Sequence, residues 1–578
     1  MLRPLLDLFI FFARHMVLTF ASVLLICLIV ARFRQSGRLF DGARFSSTGA
    51  KRSIAGLAIL LILVFAGIGG WYISVNGFAG EVEPIVSCLS WLVQTGQPLY
   101  TDFDAAERYS VLYGPSVFLT NGLFLRVLGP TLASAKLASV FGTVGSLFFL
   151  YGALARKRRD RMALSVTALA VLYYWTQGFA VYLVRPDALL LFAVGLGLFA
   201  AVKARRVLAL ITVAVAAGFA INLKAHGLVY FAPIFGLVYQ RFGTRDLLRI
   251  FLGTAVVVIA PFFLYPQVSL VNYVGWLTNA MSHGLEMDTL SRTFRYAGFL
   301  LLPVVCAFMA SRDRRRLFAE NKLAIVLLAP VYGLTVLLSA KPGAGPVHLL
   351  PLVPTTMYLL GSVYRASLTV RSQAVLARPA FTGMPVRQAV LTATVLTALL
   401  AGTVNAYRSV RYVDYQIAQI PGLAYDVQEI MATYPDLTIS MACGGENQSF
   451  RATWLRPLLV FANHPMLIDP ISVMDSSLSG RGISENTYRA ISEGRIAVWL
   501  VPRKQIPFSK VNWYAPHNPL FPVKFREHFI AHYTPHGHSR YFDLWFWNGL
   551  PEIDAQMPHY ADGVGVGGAA AEVEQAGM

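Results

Sequence analysis

Apolar stretches about as long as a bilayer is thick alternate along this chain with short loops, and every second loop is rich in arginine and lysine. The stretches run 5–31, 53–75, 134–155, 162–180, 184–203, 206–223, 226–241, 246–265, 296–311, 322–340, 347–365 and 387–408. Crossing a hydrocarbon core takes roughly 20 apolar residues in a helix, because no water is there to satisfy an irregular backbone. The basic clusters begin with Arg32, Arg34, Arg38, Arg44, Lys51 and Arg52, followed by Arg156, Lys157, Arg158, Arg159 and Arg161. Next come Lys203, Arg205 and Arg206, then Arg241 and Arg245, then Arg312, Arg314, Arg315 and Arg316, and finally Arg365, Arg371, Arg378 and Arg387. Basic residues concentrate in cytoplasmic loops, so these loops are expected inside.

Composition agrees with that reading. Only 14% of the 578 residues are charged and 56% are hydrophobic, where a soluble domain carries about 25% charged residues. The formal charge of +19 does not imply a nucleic-acid partner, because the excess is confined to the loops between spans. Of the four cysteines, Cys27 and Cys306 fall within apolar stretches, while Cys88 and Cys443 are far apart, so no disulfide framework is implied.

The alternation also decides one ambiguous segment. Residues 115–129 are apolar enough to resemble a span, but counting them as one would place the run Arg156 to Arg161 outside. The segment is short and carries Asn121 and Arg126, which predicts a helix lying in the interface. A long external loop then covers 76–133, with interfacial helices near 82–95 and 115–128. Under this topology the chemically suggestive residues share one face. Glu81, Glu83, Asp102, Asp104, Glu107 and Arg108 lie in that loop, Arg185 and Asp187 at the outer end of a span, and Lys224 and His226 at the next outer turn. His283, Glu286 and Asp288 occupy the loop 266–295, and Lys341 and His348 flank a Gly/Pro turn. Ionisable groups at a bilayer are costly, so they are candidates for function.

From 410 to 560 the chain is more polar, with strand-like runs at Leu437 to Met441 and Ile496 to Val501 between helix-like stretches, as in a small α/β domain. The tail 561–578 is rich in Gly and Ala and is expected to be disordered. The expected division is 1–52, an extra N-terminal span with a basic cytoplasmic loop; 53–409, a transmembrane catalytic domain; 410–560, an external α/β domain; and the tail. No Walker loop, HExxH zinc motif or kinase signature occurs, and no internal repeat of the kind found in many transporters is evident.

In order along the chain stand Glu81-Val82-Glu83, Gly96-Gln97-Pro98-Leu99-Tyr100-Thr101-Asp102, Tyr113-Gly114-Pro115 and Gly129-Pro130. Arg185-Pro186-Asp187, Leu223-Lys224 and the run His348 to Pro354 follow. Over about 53–410 this order resembles the GT-C superfamily of integral-membrane glycosyltransferases, in the family 39-like branch of protein mannosyltransferases and aminoarabinose transferases. The resemblance implies a GT-C fold of about 12 transmembrane helices, with interfacial helices in the first external loop. It further implies transfer of a sugar, with inversion, from a polyprenyl-phosphate donor to a hydroxyl-bearing acceptor (glycolipid, polysaccharide or protein) at the outer face. The expected location is the bacterial inner membrane, with the active site and C-terminal domain on the periplasmic or extracellular side.

Family members have an acidic residue at the start of the first loop acting as base. Many carry adjacent Asp-Glu there, whereas this chain has Glu81-Val82-Glu83, so the role falls to Glu81 or Glu83. The residues alone are consistent with that chemistry. A polyprenyl-phosphate sugar needs cations where the phosphate leaves, and Arg185, Lys224, Lys341 and His348 suit that task. The hydroxyl needs a positioned, partly desolvated base. Asp102, Asp104, Glu107, Arg108, Tyr113, Asp187 and His226 are further candidates for substrate binding. Asp102 and Asp104 could equally ligate a divalent metal or orient the acceptor, and the metal requirement is open. Two other functions compete, a transporter or lipid flippase with Arg185, Asp187 and Lys224 lining a path, and a surface-polysaccharide polymerase or ligase.

Overall fold

The computed structural model describes residues 2–35, 47–157, 159–311, 314–373 and 384–551. The tail 561–578 and the basic residues Arg38, Arg44, Arg158, Arg312 and Arg378 lie outside them. The chain divides into two compact units, one formed by residues 1–75, 90–100 and 112–410, the other by 76–89, 101–111 and the chain from 411 onward.

The first unit is helical. Every predicted span coincides with helix. Among the described residues eight helices are long and apolar enough to cross a membrane, or nine if one bent pair counts as a single span. Arg161–Trp175, Arg206–Ile221 and Ala232–Phe242 are shorter, at 15, 16 and 11 residues. At about 1.5 Å per residue each falls short of a full bilayer core.

Two features depart from the sequence reading. The stretch 5–31 is not one straight helix, since Asp7–Arg14 and Met16–Arg32 meet at 99°. The break sits at the polar pair Arg14 and His15, where the Thr19 hydroxyl donates to the carbonyls of Phe12 and His15. Within 266–295, read as a loop, Leu270–Met281 is helical. At 12 residues its apolar pattern is too short to announce itself. It is fastened where Asn272 Nδ2 donates to the Tyr100 carbonyl at 2.9 Å and the Tyr273 and Tyr100 rings lie 5.0 Å apart.

Lys136 is fully buried in the Leu132–Leu154 helix. Its ammonium donates to the carbonyls of Tyr72 and Val75 at 3.0 and 2.6 Å. Those carbonyls end the Ser47–Ser74 helix, whose last acceptors have no intrahelical donor and favour a cation.

The second unit is α/β. A four-stranded sheet has the order β1-β2-β6-β5, from β1 (Ile439–Met441), β2 (Val498–Pro502), β5 (Tyr533–His538) and β6 (Phe542–Trp547). Strands β3 (Val511–Asn512) and β4 (Ala515–Pro519) pair separately. The parallel pair β1 and β2 needs a long crossover, which the helices between 447 and 492 supply. Every residue of β2 is buried, as expected of an interior strand covered on both faces. Trp499 lies within 5.6 Å of the Phe508 ring and 6.0 Å of the Phe529 ring.

Residues 76–89 and 101–111, from the stretch expected to be an external loop, belong to this unit. Arg108 forms a parallel bridge with Ile468, its N–H donating to the Leu467 carbonyl at 2.6 Å and its carbonyl accepting from the Asp469 N–H at 2.8 Å. Beside the bridge, Arg456 and Asp469 form an ion pair at 2.6 Å with both side chains buried. Removing one partner of such a pair strands the other in a low-dielectric interior.

Arg456→Met should therefore cost about 3–5 kcal/mol, seen as a lower melting temperature of the purified protein in detergent; an unchanged melting temperature would show that the pair is not needed. Asp475 makes a pH prediction. Burial, reinforced by the Asp469 charge, pushes its carboxyl up to about 7. The folded unit thus favours the protonated acid, and that stabilisation is complete below the ordinary carboxylate value and fades as pH rises through about 7. Asp475→Asn should flatten the pH dependence of the melting temperature between pH 5 and 8, with the larger gain at pH 8.

Candidate functional site

The first unit gathers its candidate residues at helix ends. Arg185 precedes the Pro186–Lys203 helix, with Pro186 in its first turn and Asp187 next. Proline suits that position because its missing N–H would have no intrahelical partner anyway. Lys224 leads into the short 3-10 helix Ala225–Phe231, and His348 lies in another, Pro346–Leu352.

Asp187 is fully buried and sits between two cations. Its Oδ1 is 2.7 Å from Lys224 Nζ and its Oδ2 3.4 Å from Arg185 Nε. Lys224 is 5% exposed, and its ammonium also lies 3.4 Å from His348 Nε2 and 5.9 Å from the centre of the Tyr113 ring. An ammonium can only donate, so His348 Nε2 accepts and the imidazole proton sits on Nδ1. That Nδ1 is buried and has no hydrogen-bond partner among the described residues.

His226 stacks on His348, ring centres 5.1 Å apart and planes 17° from parallel. Tyr230 joins them, its hydroxyl donating to the His348 carbonyl at 2.9 Å and lying 3.1 Å from His226 Nε2. Lys341 acts electrostatically on both imidazoles. Burial draws its own ammonium below the usual lysine range. Two cations around one carboxylate leave a net single positive charge, and Lys341 adds a second. With an unsatisfied imidazole N–H beside it, this arrangement suits an oxyanion.

Backbone contacts bring these segments together. The Gly114 N–H donates to the Leu223 carbonyl at 3.1 Å and the Ser116 N–H to the Asn222 carbonyl at 2.9 Å, which sets Tyr113 beside Lys224. A Cβ on Gly114 would lie 2.3 Å from the Asn222 carbonyl oxygen, and one on Gly227 would lie 2.1 Å from that of Ala220. Neither position has room for a side chain.

The second unit holds the remaining candidates. Glu81 is partly exposed and immediately precedes the Val82–Gln94 helix. Glu83 is fully buried, and its Oε1 accepts the backbone N–H groups of Ala79 and Gly80 at 2.9 and 3.0 Å. Its carboxylate closes the turn that enters the helix. Asp102 Oδ1 accepts the Asp104 N–H at 2.8 Å, both side chains being exposed. Glu107 pairs with Arg495, and Arg108 is buried. Among the described residues no three His, Cys, Asp or Glu side chains group to hold a metal ion, His283, Glu286 and Asp288 included.

Sequence reading overlooked Tyr230, which packs among the predicted histidines, and Arg495, which takes up Glu107. Tyr230 stands one helical turn from His226, a usable signal. Arg495 is hundreds of residues from Glu107, and no local pattern could connect them.

No protein-family model matches the sequence, and no curated protein matches it. Among solved structures, the chain is similar to ArnT from Cupriavidus metallidurans bound to undecaprenyl phosphate, with a TM-score of 0.50, 13% identity, and coverage of 86% of this chain and 98% of that one. The same protein in the apo state gives a TM-score of 0.51 at 12% identity, covering 87% of this chain and 98% of that one. At such identity the likeness establishes the GT-C fold.

Gly114→Ala should separate the loop from Asn222 and disturb the position of Tyr113. A loss of about 1–3 kcal/mol in thermal stability is expected; an unchanged melting temperature would show that the close approach is dispensable.

Proposed function

We propose that this protein is an inverting glycosyltransferase that moves a sugar from a polyprenyl-phosphate donor to a hydroxyl-bearing acceptor on the outer face of the membrane. The observation that carries the reading is the cluster of Arg185, Asp187, Lys224 and His348, net positive and with a buried imidazole N–H that has no partner among the described residues. The ArnT fold lends support, since one of the ArnT structures holds undecaprenyl phosphate.

In the proposed reaction the sugar's anomeric carbon loses its bond to the donor phosphate oxygen and gains one to the acceptor oxygen. Negative charge grows on the departing phosphate, and donors already fixed in place stabilise it without reorganising. Lys224 is held for that task by Asp187, and His348 Nδ1–H supplies a neutral donor. The proton of the acceptor hydroxyl goes to a carboxylate. Glu83 is buried and accepts two backbone N–H groups, whereas Glu81 is partly exposed at the entrance of the helix, and it is the proposed base. Direct displacement needs one base and one clamp for the leaving group. The paired carboxylates of a retaining glycosidase are not required.

The test is transfer by purified protein supplied with a panel of polyprenyl-phosphate sugars. Lys224→Met and Glu81→Gln should each lower the rate by about 10²–10³-fold; the melting temperature should hold in Glu81→Gln, while Lys224→Met also lowers it, because buried Asp187 is left with its longer contact to Arg185. Glu83→Ala should instead destabilise the fold by about 1–3 kcal/mol. Full activity in Glu81→Gln would remove the assignment of the base. Absence of transfer from every donor in the panel would remove the reading.

A further inference from the structure

The helix Val523–His532 of the second unit carries two histidines, His528 and His532, one turn apart at its C-terminal end. Residues four apart share a helix face, and here the imidazole centres lie 4.5 Å apart with planes tilted by 39°. His528 Nε2 is 3.0 Å from the Tyr488 carbonyl oxygen, and His532 Nδ1 is 2.8 Å from that of His528. A carbonyl oxygen only accepts, so each of these ring nitrogens carries a proton. In the neutral rings the lone pairs therefore sit on His528 Nδ1 and His532 Nε2. Neither nitrogen has a hydrogen-bond partner among the described residues, and neither is enclosed, since both rings are only half-buried.

The pair is held from behind. Ser492 Oγ donates to the Tyr488 carbonyl at 3.2 Å and lies 2.8 Å from His528 Nε2, where it accepts. The Tyr488 ring meets His528 nearly edge to face at 5.2 Å. Between the two histidines, Phe529 is fully buried and stacks on Tyr533 at 4.7 Å, which fixes the last turn of the helix. Other histidines of this unit differ. His538 has both nitrogens engaged, by Arg503 and by the Ser539 carbonyl, and His464 Nδ1 accepts the Ile439 N–H.

We propose that His528 and His532 bind one divalent transition-metal ion of the zinc, nickel or copper class, with water in its remaining positions. Imidazole suits these ions, whereas magnesium and calcium prefer oxygen ligands. Metal-binding histidines donate their second ring N–H to a carbonyl or carboxylate, which fixes tautomer and orientation, and both rings here do so. Two imidazoles bound at about 2.0–2.1 Å in neighbouring positions of one ion have centres roughly 4.5–5 Å apart. The helix C-terminus adds a partial negative charge that favours a cation. No third His, Cys, Asp or Glu joins the pair among the described residues, so the ion stays exchangeable. Glycosyl transfer is not required for this binding.

Isothermal titration of Zn²⁺, Ni²⁺ and Mg²⁺ into the full-length protein in detergent, free of any affinity tag, tests the site. One Zn²⁺ or Ni²⁺ per chain is expected, with no binding of Mg²⁺. His528→Gln and His532→Gln should each weaken binding by about 100-fold, because a single imidazole forfeits the gain from chelation. His536→Gln, at an exposed histidine outside the pair, should leave the affinity unchanged.

A second measurement needs no substitution and so is free of folding effects. Carbethoxylation attacks the unprotonated ring nitrogen, and mass spectrometry reads it residue by residue. Zn²⁺ should protect His528 and His532 while His536 reacts as before. Unchanged affinity in either substituted protein, or equal modification of the pair with and without Zn²⁺, would overturn the site and mark any bound metal as adventitious.

Discussion

The carboxylate of Asp187, buried between Arg185 and Lys224, is the interaction that holds the first unit's polar cluster together. A lone ammonium at that depth would lose its hydration with little return, at a cost of several kcal/mol. The carboxylate keeps Lys224 charged and oriented, and Arg185 keeps the group from being neutral. His348 then accepts from Lys224, which leaves its own proton without an acceptor among the described residues. Each of these side chains is placed by the end of a helix. The cluster can therefore be exact in position although its members come from separated parts of the chain.

The second unit shows the complementary arrangement, in which the backbone holds what side chains elsewhere hold. Residues 104–108 are fastened through their carbonyls by Ser484, Asn486 and Thr487 and through the bridge at Arg108. Side chains along this segment are thereby left for other contacts. Glu83 does the opposite. Its carboxylate satisfies backbone N–H groups that would otherwise be orphaned at a helix entrance.

The membrane spans were legible because period, length and loop charge all point the same way over some 20 residues at a time. So were β1 and β2, whose apolar runs stand out from a polar background. The bend at His15 and the helix Leu270–Met281 were not, since each depends on a few contacts that no window of sequence contains. The cations of the cluster could be proposed from their positions at span ends. Their mutual geometry could not, because Lys224 and His348 are 124 residues apart. The two glutamates show the same limit. Sequence spacing left them nearly equivalent, and what distinguishes them is that Glu83 is buried and accepts the N–H groups of Ala79 and Gly80, whereas Glu81 is partly exposed.

The bridge between Arg108 and Ile468 also has a consequence for the order in which the chain can fold. Residues 76–89 and 101–111 are synthesised early, yet their partners in the second unit arrive only after the last membrane span has been made. Until then these segments have no completed core to join, and the sequence separation makes their contacts slow to form. A chain ending near 410 would leave them stranded, with Arg108 lacking both of its backbone partners. Cutting the chain there therefore removes the partners of a segment that lies far upstream of the cut.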